Sequence, residues 1–360
     1  MLYPITPLFL TTVLGASMAA VGLIEGIAEV TAGLLKGYFG ALSDKVGRRS
    51  IFVVLGYGIS GLVKSLPGLL ATVPIVIFSR VADRIGKGIR SSPRDALLSN
   101  YAKENSSGAV FGFHRSMDTL GAVLGPLTAL FLLGVFSLGY TSIYLIAIIP
   151  SLLAIFFTWM VKDVRSQSKI SSRKLYRQFW NEAPVKYKKL IILLMIFSFA
   201  NSSDVFLILK SKQITHSDST SILGYVFYNL IYAISSYPLG IVSDKFGKRK
   251  MLVAGLIIFS FVYFGFAVNH QFYYIWFLFA LYGIYAAATE GISKAWVSDM
   301  ISSDFRGTAI GLLSMLSSLS VMVGSFCAGI LWDSMGPEIP FFTSSIVTLV
   351  VAFFIAGLKE

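Results

Sequence analysis

The sequence predicts an all-α membrane protein of two pseudo-symmetric six-helix bundles, and three observations predict it. Its composition is too apolar for water: of 360 residues, 55% are hydrophobic and 13% charged, with mean hydropathy +0.74. Lipid must therefore solvate most of the chain. The apolar residues come in blocks of helix length. A phrase from one half also returns in the other: Gly40-Ala-Leu-Ser-Asp44-Lys-Val-Gly47-Arg48-Arg49 reappears as Gly240-Ile-Val-Ser-Asp244-Lys-Phe-Gly247-Lys248-Arg249. Each copy joins two long apolar segments, the mark of a duplicated membrane unit.

The apolar blocks fall at about residues 2–15, 19–42, 51–71, 73–96, 107–135, 140–160, 189–209, 221–242, 250–268, 272–295, 306–331 and 339–358. Most are long enough for a hydrocarbon core of roughly 30 Å. Twelve spans follow, in an N-terminal bundle at 1–160 and a C-terminal bundle at 189–360, divided by a basic cytoplasmic linker at 161–188. Span 1 is short, since Met1 to Gly15 gives about 21 Å of helix. A truncated first helix, or a start upstream of Met1, is expected. The block has neither the basic leader nor the cleavage site of a signal peptide.

Charge sets the orientation. The linker and the loops on its side hold eighteen Lys and Arg, while the alternate loops hold Lys210 and Lys212. By the positive-inside rule the linker and both termini are cytoplasmic, and the chain is expected in the bacterial inner membrane. The net charge of +12 thus reads as an orientation signal, with no nucleic-acid partner. Cys327, the single cysteine, excludes an internal disulfide. His114, His216 and His270 are scattered, and Gly86-Lys-Gly88 lacks the spacing of a phosphate loop. No enzyme, metal or cofactor is expected, and the chain is read as a monomer.

Asp44 and Asp244 lie at the cytoplasmic ends of spans 2 and 8, where glycines allow a tight turn and a carboxylate can face a helix N-terminus. A weaker echo pairs Ala96-Leu-Leu-Ser-Asn100 with Ala295-Trp-Val-Ser-Asp299, and Gly108-Ala-Val-Phe-Gly112 with Gly307-Thr-Ala-Ile-Gly311. These residues resemble the major facilitator superfamily, whose loop signature is G-x-x-x-D-x-x-G-R-R/K. The run from Asp83 to Leu98, with Gly112-Phe-His-Arg-Ser-Met-Asp118, is similar to a poorly characterised bacterial and archaeal permease subgroup. That subgroup has a Tyr-Pro like Tyr3-Pro4 within its first helix.

The resemblance implies the major facilitator fold, with two bundles rocking about a central site. It implies gating roles for Gly40, Asp44, Gly47, Arg48, Arg49, Asp95, Gly240, Asp244, Gly247, Lys248 and Arg249. Asp44 would face the start of span 11 near Phe305–Thr308, and Arg48 would pair with Asp95. By symmetry Asp244 would face the start of span 5 near Ser107. The second copy departs at Lys248, in place of Arg48, and at Lys294, in place of Asp95. A topology anchor without a gating role is the alternative.

Span 4 carries a stripe. Arg80, Arg84, Lys87, Ser91 and Arg94 recur at helical spacing. Three cations at a bilayer centre cost about 8–10 kcal/mol on insertion scales, more than nearby Val, Ile and Phe recover at roughly 0.3–0.6 each. The stripe therefore faces a wet cavity or acids. Glu25 and Glu29 in span 2 lie at matching depths to Arg80 and Arg84, and span 5 adds Arg115 and Asp118. Glu25, Glu29 and Asp118 are the proton-coupling candidates, and Arg80, Arg84, Lys87 and Arg115 the solute-binding candidates; structural ion pairing is the competing reading.

The second half has fewer intramembrane charges. Asp204 in span 7 reads as a site or a solvated helix end, and Glu290 with Lys294 as an i,i+4 pair. Lys36 and Lys64 are expected to snorkel. Tyr225, Tyr228, Tyr232, Tyr282 and Tyr285 line a pocket or simply pack. Gly121, Gly125 and Pro126 form a partial G-x-x-x-G-P element, expected to allow close helix contact. That element resembles the span-5 signature of exporters in the family and tilts the reading towards efflux.

The function expected is secondary-active transport of a small solute by alternating access, as proton-coupled efflux of an anionic, zwitterionic or amphiphilic compound. Uptake of an anionic metabolite or metal chelate, driven by protons or another ion, is one alternative. A non-transporting membrane sensor is the other.

Overall fold

The computed structural model describes residues 6, 9, 13–14, 18–103, 106–161, 163, 175–201, 204–269 and 271–358, without the side chains of 18–30, 130, 175–177, 205, 218–219 and 222. Most of span 1, and residues 162 and 164–174 of the basic linker, lie outside the described residues, as do the side chains of Glu25 and Glu29.

Regular structure among the described residues is helical throughout. In chain order it comprises α1 (Met18–Val46), α2 (Arg49–Val63), α3 (Leu66–Leu69), α4 (Val73–Tyr101), α5 (Ser107–Gly134), α6 (Tyr140–Ile146), α7 (Ile148–Trp159) and α8 (Leu175–Glu182). The chain continues with α9 (Val185–Ala200), α10 (Val205–Thr215), α11 (Asp218–Phe246), α12 (Lys248–Val268), α13 (Phe272–Met300), α14 (Arg306–Met335) and α15 (Ile339–Ala356).

Eight helical runs among the described residues are long and apolar enough to cross a membrane, against the twelve spans expected. Two of the differences have visible causes. α4 is 29 residues long, but its stripe of charge makes it too polar to count. Span 7 is divided into α9 and α10, of 16 and 11 residues.

The chain forms two compact units. The first holds residues 1–100, 121–181 and 303–315, and the second 101–120, 182–302 and 316–360. In the first, α2 packs on α7 and α3 on α6. A Cβ on Gly56 would stand 2.6 Å from the Gly86 carbonyl, and one on Gly88 2.5 Å from Leu35 Cβ. Gly86 and Gly88 therefore let α4 approach α2 and α1 closely. Phe9, Val76, Ala129, Ile143 and Tyr144 form a buried cluster. Asp163 accepts the Ser50 amide at 3.2 Å and the Ser50 hydroxyl at 3.0 Å, serving one of the unpaired donors that open α2.

In the second unit α13 packs against α11 and α12, and α12 against α15. Phe259, Tyr263, Phe266, Phe279 and Phe341 are buried there. Ser260 and Ser345 bond across α12 and α15 at 2.8 Å, meeting each other's polar demand inside an apolar layer.

Candidate functional site

The two copies of the repeated phrase fold alike. Gly47 has φ 69° and Gly247 φ 98°, a left-handed backbone that favours glycine and ends the helix sharply. Each glycine amide donates to the carbonyl four residues earlier, Ser43 or Ser243, at 3.0 Å. The Ser43 and Ser243 hydroxyls turn back to the Gly40 and Gly240 carbonyls at 2.8 and 2.7 Å.

In the first unit Asp44 accepts the backbone amides of Gly307 and Thr308 at 3.1 and 2.6 Å, and the Thr308 hydroxyl at 2.8 Å. These donors are in the first turn of α14, where amides lack helical partners and the dipole favours an anion. In the second unit Asp244 accepts the amides of Gly108 and Ala109 at 2.9 and 2.7 Å, in the first turn of α5. Bare backbone makes both approaches possible. A Cβ on Gly40 would strike the Gly307 carbonyl, and one on Gly240 the Gly108 carbonyl.

The counter-charges differ between the copies. Arg49 bonds Asp44 at 2.8 Å and the Ser303 carbonyl at 2.6 Å, and both side chains of this pair are buried. Arg48 is exposed, and Asp95 is buried with Arg94 on it at 2.9 Å. The expected Arg48–Asp95 pair thus gives way to Arg49–Asp44, because the residue after Gly47 points outward and the next points into the turn. In the second copy Lys248 bonds both Asp244 and Asp299 at 2.9 Å, while Arg249 reaches the Leu358 carbonyl. The echo holds further out: Arg306 bonds Asn100 at 3.1 Å and Ser107 bonds Asp299 at 3.0 Å.

The α4 stripe is half-buried at Arg80, Lys87 and Arg94, and buried at Arg84. Asp83, which the reading of the stripe passed over, is buried beside it and takes Lys64 at 3.1 Å together with the Ser60 hydroxyl. Lys64 therefore meets a carboxylate as well as reaching outward. Arg90 lies 4.1 Å from the Tyr57 ring centroid, a cation–π contact.

The second unit contains a continuous polar and aromatic cluster. Arg115 of α5 meets Glu290 of α13, Asp118 at 3.3 Å and the Tyr232 phenol. Glu290 thus turns to a neighbouring helix, in place of the expected i,i+4 pairing with Lys294. Tyr228 lies 6.0 Å from Tyr232 and 4.8 Å from Tyr282, centroid to centroid. The Tyr282 hydroxyl donates to Asp204 at 2.7 Å, and the Asn201 amide bonds the Tyr285 oxygen at 3.1 Å. Among the described residues nothing lies within 4 Å of a Cβ position at Gly121. Pro126 sits inside the continuous α5. Among the described residues no group of three or more His, Cys, Asp or Glu could hold a metal ion.

Comparison with known proteins gives the family. The chain is 36% identical over 357 residues to the uncharacterized MFS-type transporter MJ1317 of Methanocaldococcus jannaschii, covering 97% of this chain and 88% of that one. It is 22% identical over 354 residues to the multidrug resistance protein MdtH of Proteus mirabilis, covering 94% and 86%. Among solved structures, the human organic anion transporter MFSD10 superposes with TM-score 0.78 at 17% identity, covering 97% and 88%. The E. coli fucose:proton symporter FucP gives TM-score 0.75 at 11% identity, covering 95% and 92%. The model of the Major Facilitator Superfamily matches residues 1–227 and 207–359, and the chain belongs to that family.

Proposed function

We propose that this chain is a secondary-active transporter that works by alternating access, with the Asp44 and Asp244 loops as its cytoplasmic gate. The observation that carries the reading is the twinned contact: two equivalent carboxylates each bind the opening amides of a helix, Gly307 and Thr308 in one unit and Gly108 and Ala109 in the other. Such a contact is strong yet releasable, since water can replace protein at both the carboxylate and the amides. A pair of them related by sequence repeat fits a device in which two six-helix bundles part symmetrically. In this reading Gly40, Gly47, Gly240 and Gly247 shape the gate, while Arg49 and Lys248 hold its charge. Both termini lie in the cytoplasm, and the chain acts as a monomer in a bacterial inner membrane.

Transport is proton-coupled efflux of an amphiphilic, anionic or zwitterionic compound. The multidrug-resistance relative and the organic anion transporter with the same fold support that class. Arg80, Arg84 and Lys87 are the cations offered to the solute. Arg115 already meets Glu290 and Asp118 and opens to an anion only when these let go. Glu25, Glu29 and Asp118 are the proton-coupling carboxyls. The test uses purified protein in sealed vesicles, with pH gradients of either sign and the flux of ethidium and of anilinonaphthalene sulfonate. Flux against the probe gradient that reverses with the proton gradient supports the reading, and flux indifferent to it refutes the coupling.

A further inference from the structure

Asp204 stands at the break between α9 and α10, with regular helix ending at Ala200 and resuming at Val205. The chain enters α10 here without a side-chain cap from Asp204, so its carboxylate is turned to other helices. It accepts the Tyr282 hydroxyl at 2.7 Å, and the Tyr225 phenol also bonds it. Tyr228, Tyr232 and Tyr285 lie within its electrostatic reach. From the other packed elements, α12 brings Tyr263, 6.3 Å from Tyr282 by ring centroids, and α14 presses Gly324 on the Phe199 carbonyl. Nearby cations are otherwise directed. Lys210 bonds Glu338 at 2.6 Å, and Arg115 is held by Glu290, Asp118 and Tyr232. Among the described residues, Asp204 makes no ion pair.

A carboxylate at a break in a membrane span, bonded by phenols and without an ion pair among the described residues, gains from taking up a proton as soon as its donors turn away. Phenols suit this role because each hydroxyl both donates and accepts. The rings also run in sequence from Asp204 through Tyr282, Tyr228 and Tyr232 to Arg115. Movement of α11 against α13 would change how many donors Asp204 holds, which ties its proton to conformation.

We propose that Asp204 is a proton-exchange site of the transport cycle, a carboxyl that takes up and releases its proton within a cluster of five phenols. This rests on the proton-coupled reading above and adds a second-unit carboxyl to it. The test is reaction of the full chain in lipid nanodiscs with dicyclohexylcarbodiimide, which modifies protonated carboxyls in apolar surroundings. The adduct on the Asp204 peptide is read by mass spectrometry in buffers from acid to alkaline. The expected adduct falls with rising pH, by about tenfold per pH unit above its midpoint. In Tyr282→Phe the midpoint moves to higher pH, because the ionised form loses a donor. An Asp204 peptide that stays unmodified, or is modified equally at every pH, overturns the proposal. Because the adduct needs no flux, its failure is distinct from a failure of proton-coupled transport. In vesicles where the wild type moves ethidium under a pH gradient, Asp204→Asn loses the gradient-driven component, and an undiminished component overturns the assignment.

Discussion

Arg49 and Lys248 serve equivalent aspartates from positions one residue out of register. Arg49 reaches Asp44 from five residues ahead and Lys248 reaches Asp244 from four. The Arg49 pair is buried on both sides, whereas Lys248 also leans on Asp299, whose side chain is 43% exposed.

Removing the two aspartates should therefore have unequal costs. Asp44→Ala leaves a buried guanidinium uncompensated and is expected to destabilise by about 3–5 kcal/mol. Asp244→Ala leaves Lys248 its second carboxylate and should cost about 1–3 kcal/mol. Chemical unfolding in mild detergent checks the order; equal losses would contradict it.

Substitution of the basic residues gives a sharper contrast. Arg48→Ala should change stability by no more than about 0.5 kcal/mol, since the residue is exposed and surface changes are small. Arg49→Lys should impair folding and flux, because an ammonium on a shorter stem does not reach the place where one guanidinium nitrogen bonds both Asp44 and the Ser303 carbonyl. Lys248→Arg should be tolerated.

Glycine replacement separates close contacts from open positions. Gly40→Ala and Gly240→Ala each put a methyl against a carbonyl and should cost about 1–3 kcal/mol. Gly58→Ala, with nothing among the described residues within 4 Å of its Cβ, should be neutral or stabilising. Thermal unfolding of the three variants side by side decides this.

Arg115 and Glu290 should be coupled. A double-mutant cycle of Arg115→Ala and Glu290→Ala is expected to show about 1–3 kcal/mol of interaction. Arg115→Ala alone should be worse than the double variant, because it leaves Glu290 and Asp118 facing each other unscreened.

Much of this was legible in the chain, and the gaps have physical reasons. The phrase around Asp44 and Asp244 could be read because its geometry is local: a glycine of positive φ, a serine turned back, an aspartate at a helix end. The opposing helix starts, near Thr308 for Asp44 and near Ser107 for Asp244, came from the family resemblance and not from the phrase itself. The choice between Arg48 and Arg49 could not be read, as it depends on which side chain points into the turn. Spacing along its own helix offers Glu290 to Lys294, whereas its partner Arg115 is on another helix, and no periodicity reports that. Asp83 is three residues from Arg80 and four from Lys87, so it lies along the stripe, but a pattern of cations alone does not include it. The spacing of Tyr225, Tyr228 and Tyr232 marked one helix face, but only folding brought Tyr282 and Asp204 to it.

The pairing of Gly40 with Gly307, and of Gly240 with Gly108, leaves two smooth strips of main chain where most helix contacts interlock. Nothing need rotate out of the way when such strips separate. In the gating proposed above, the obstacle to parting at these strips is polar, set by a few hydrogen bonds to one carboxylate on each side. Side chains mesh further along the same helices, as Phe113 does with Tyr237, so it is at the cytoplasmic strips that ionic strength and solvent deuteration should weigh most on the turnover rate.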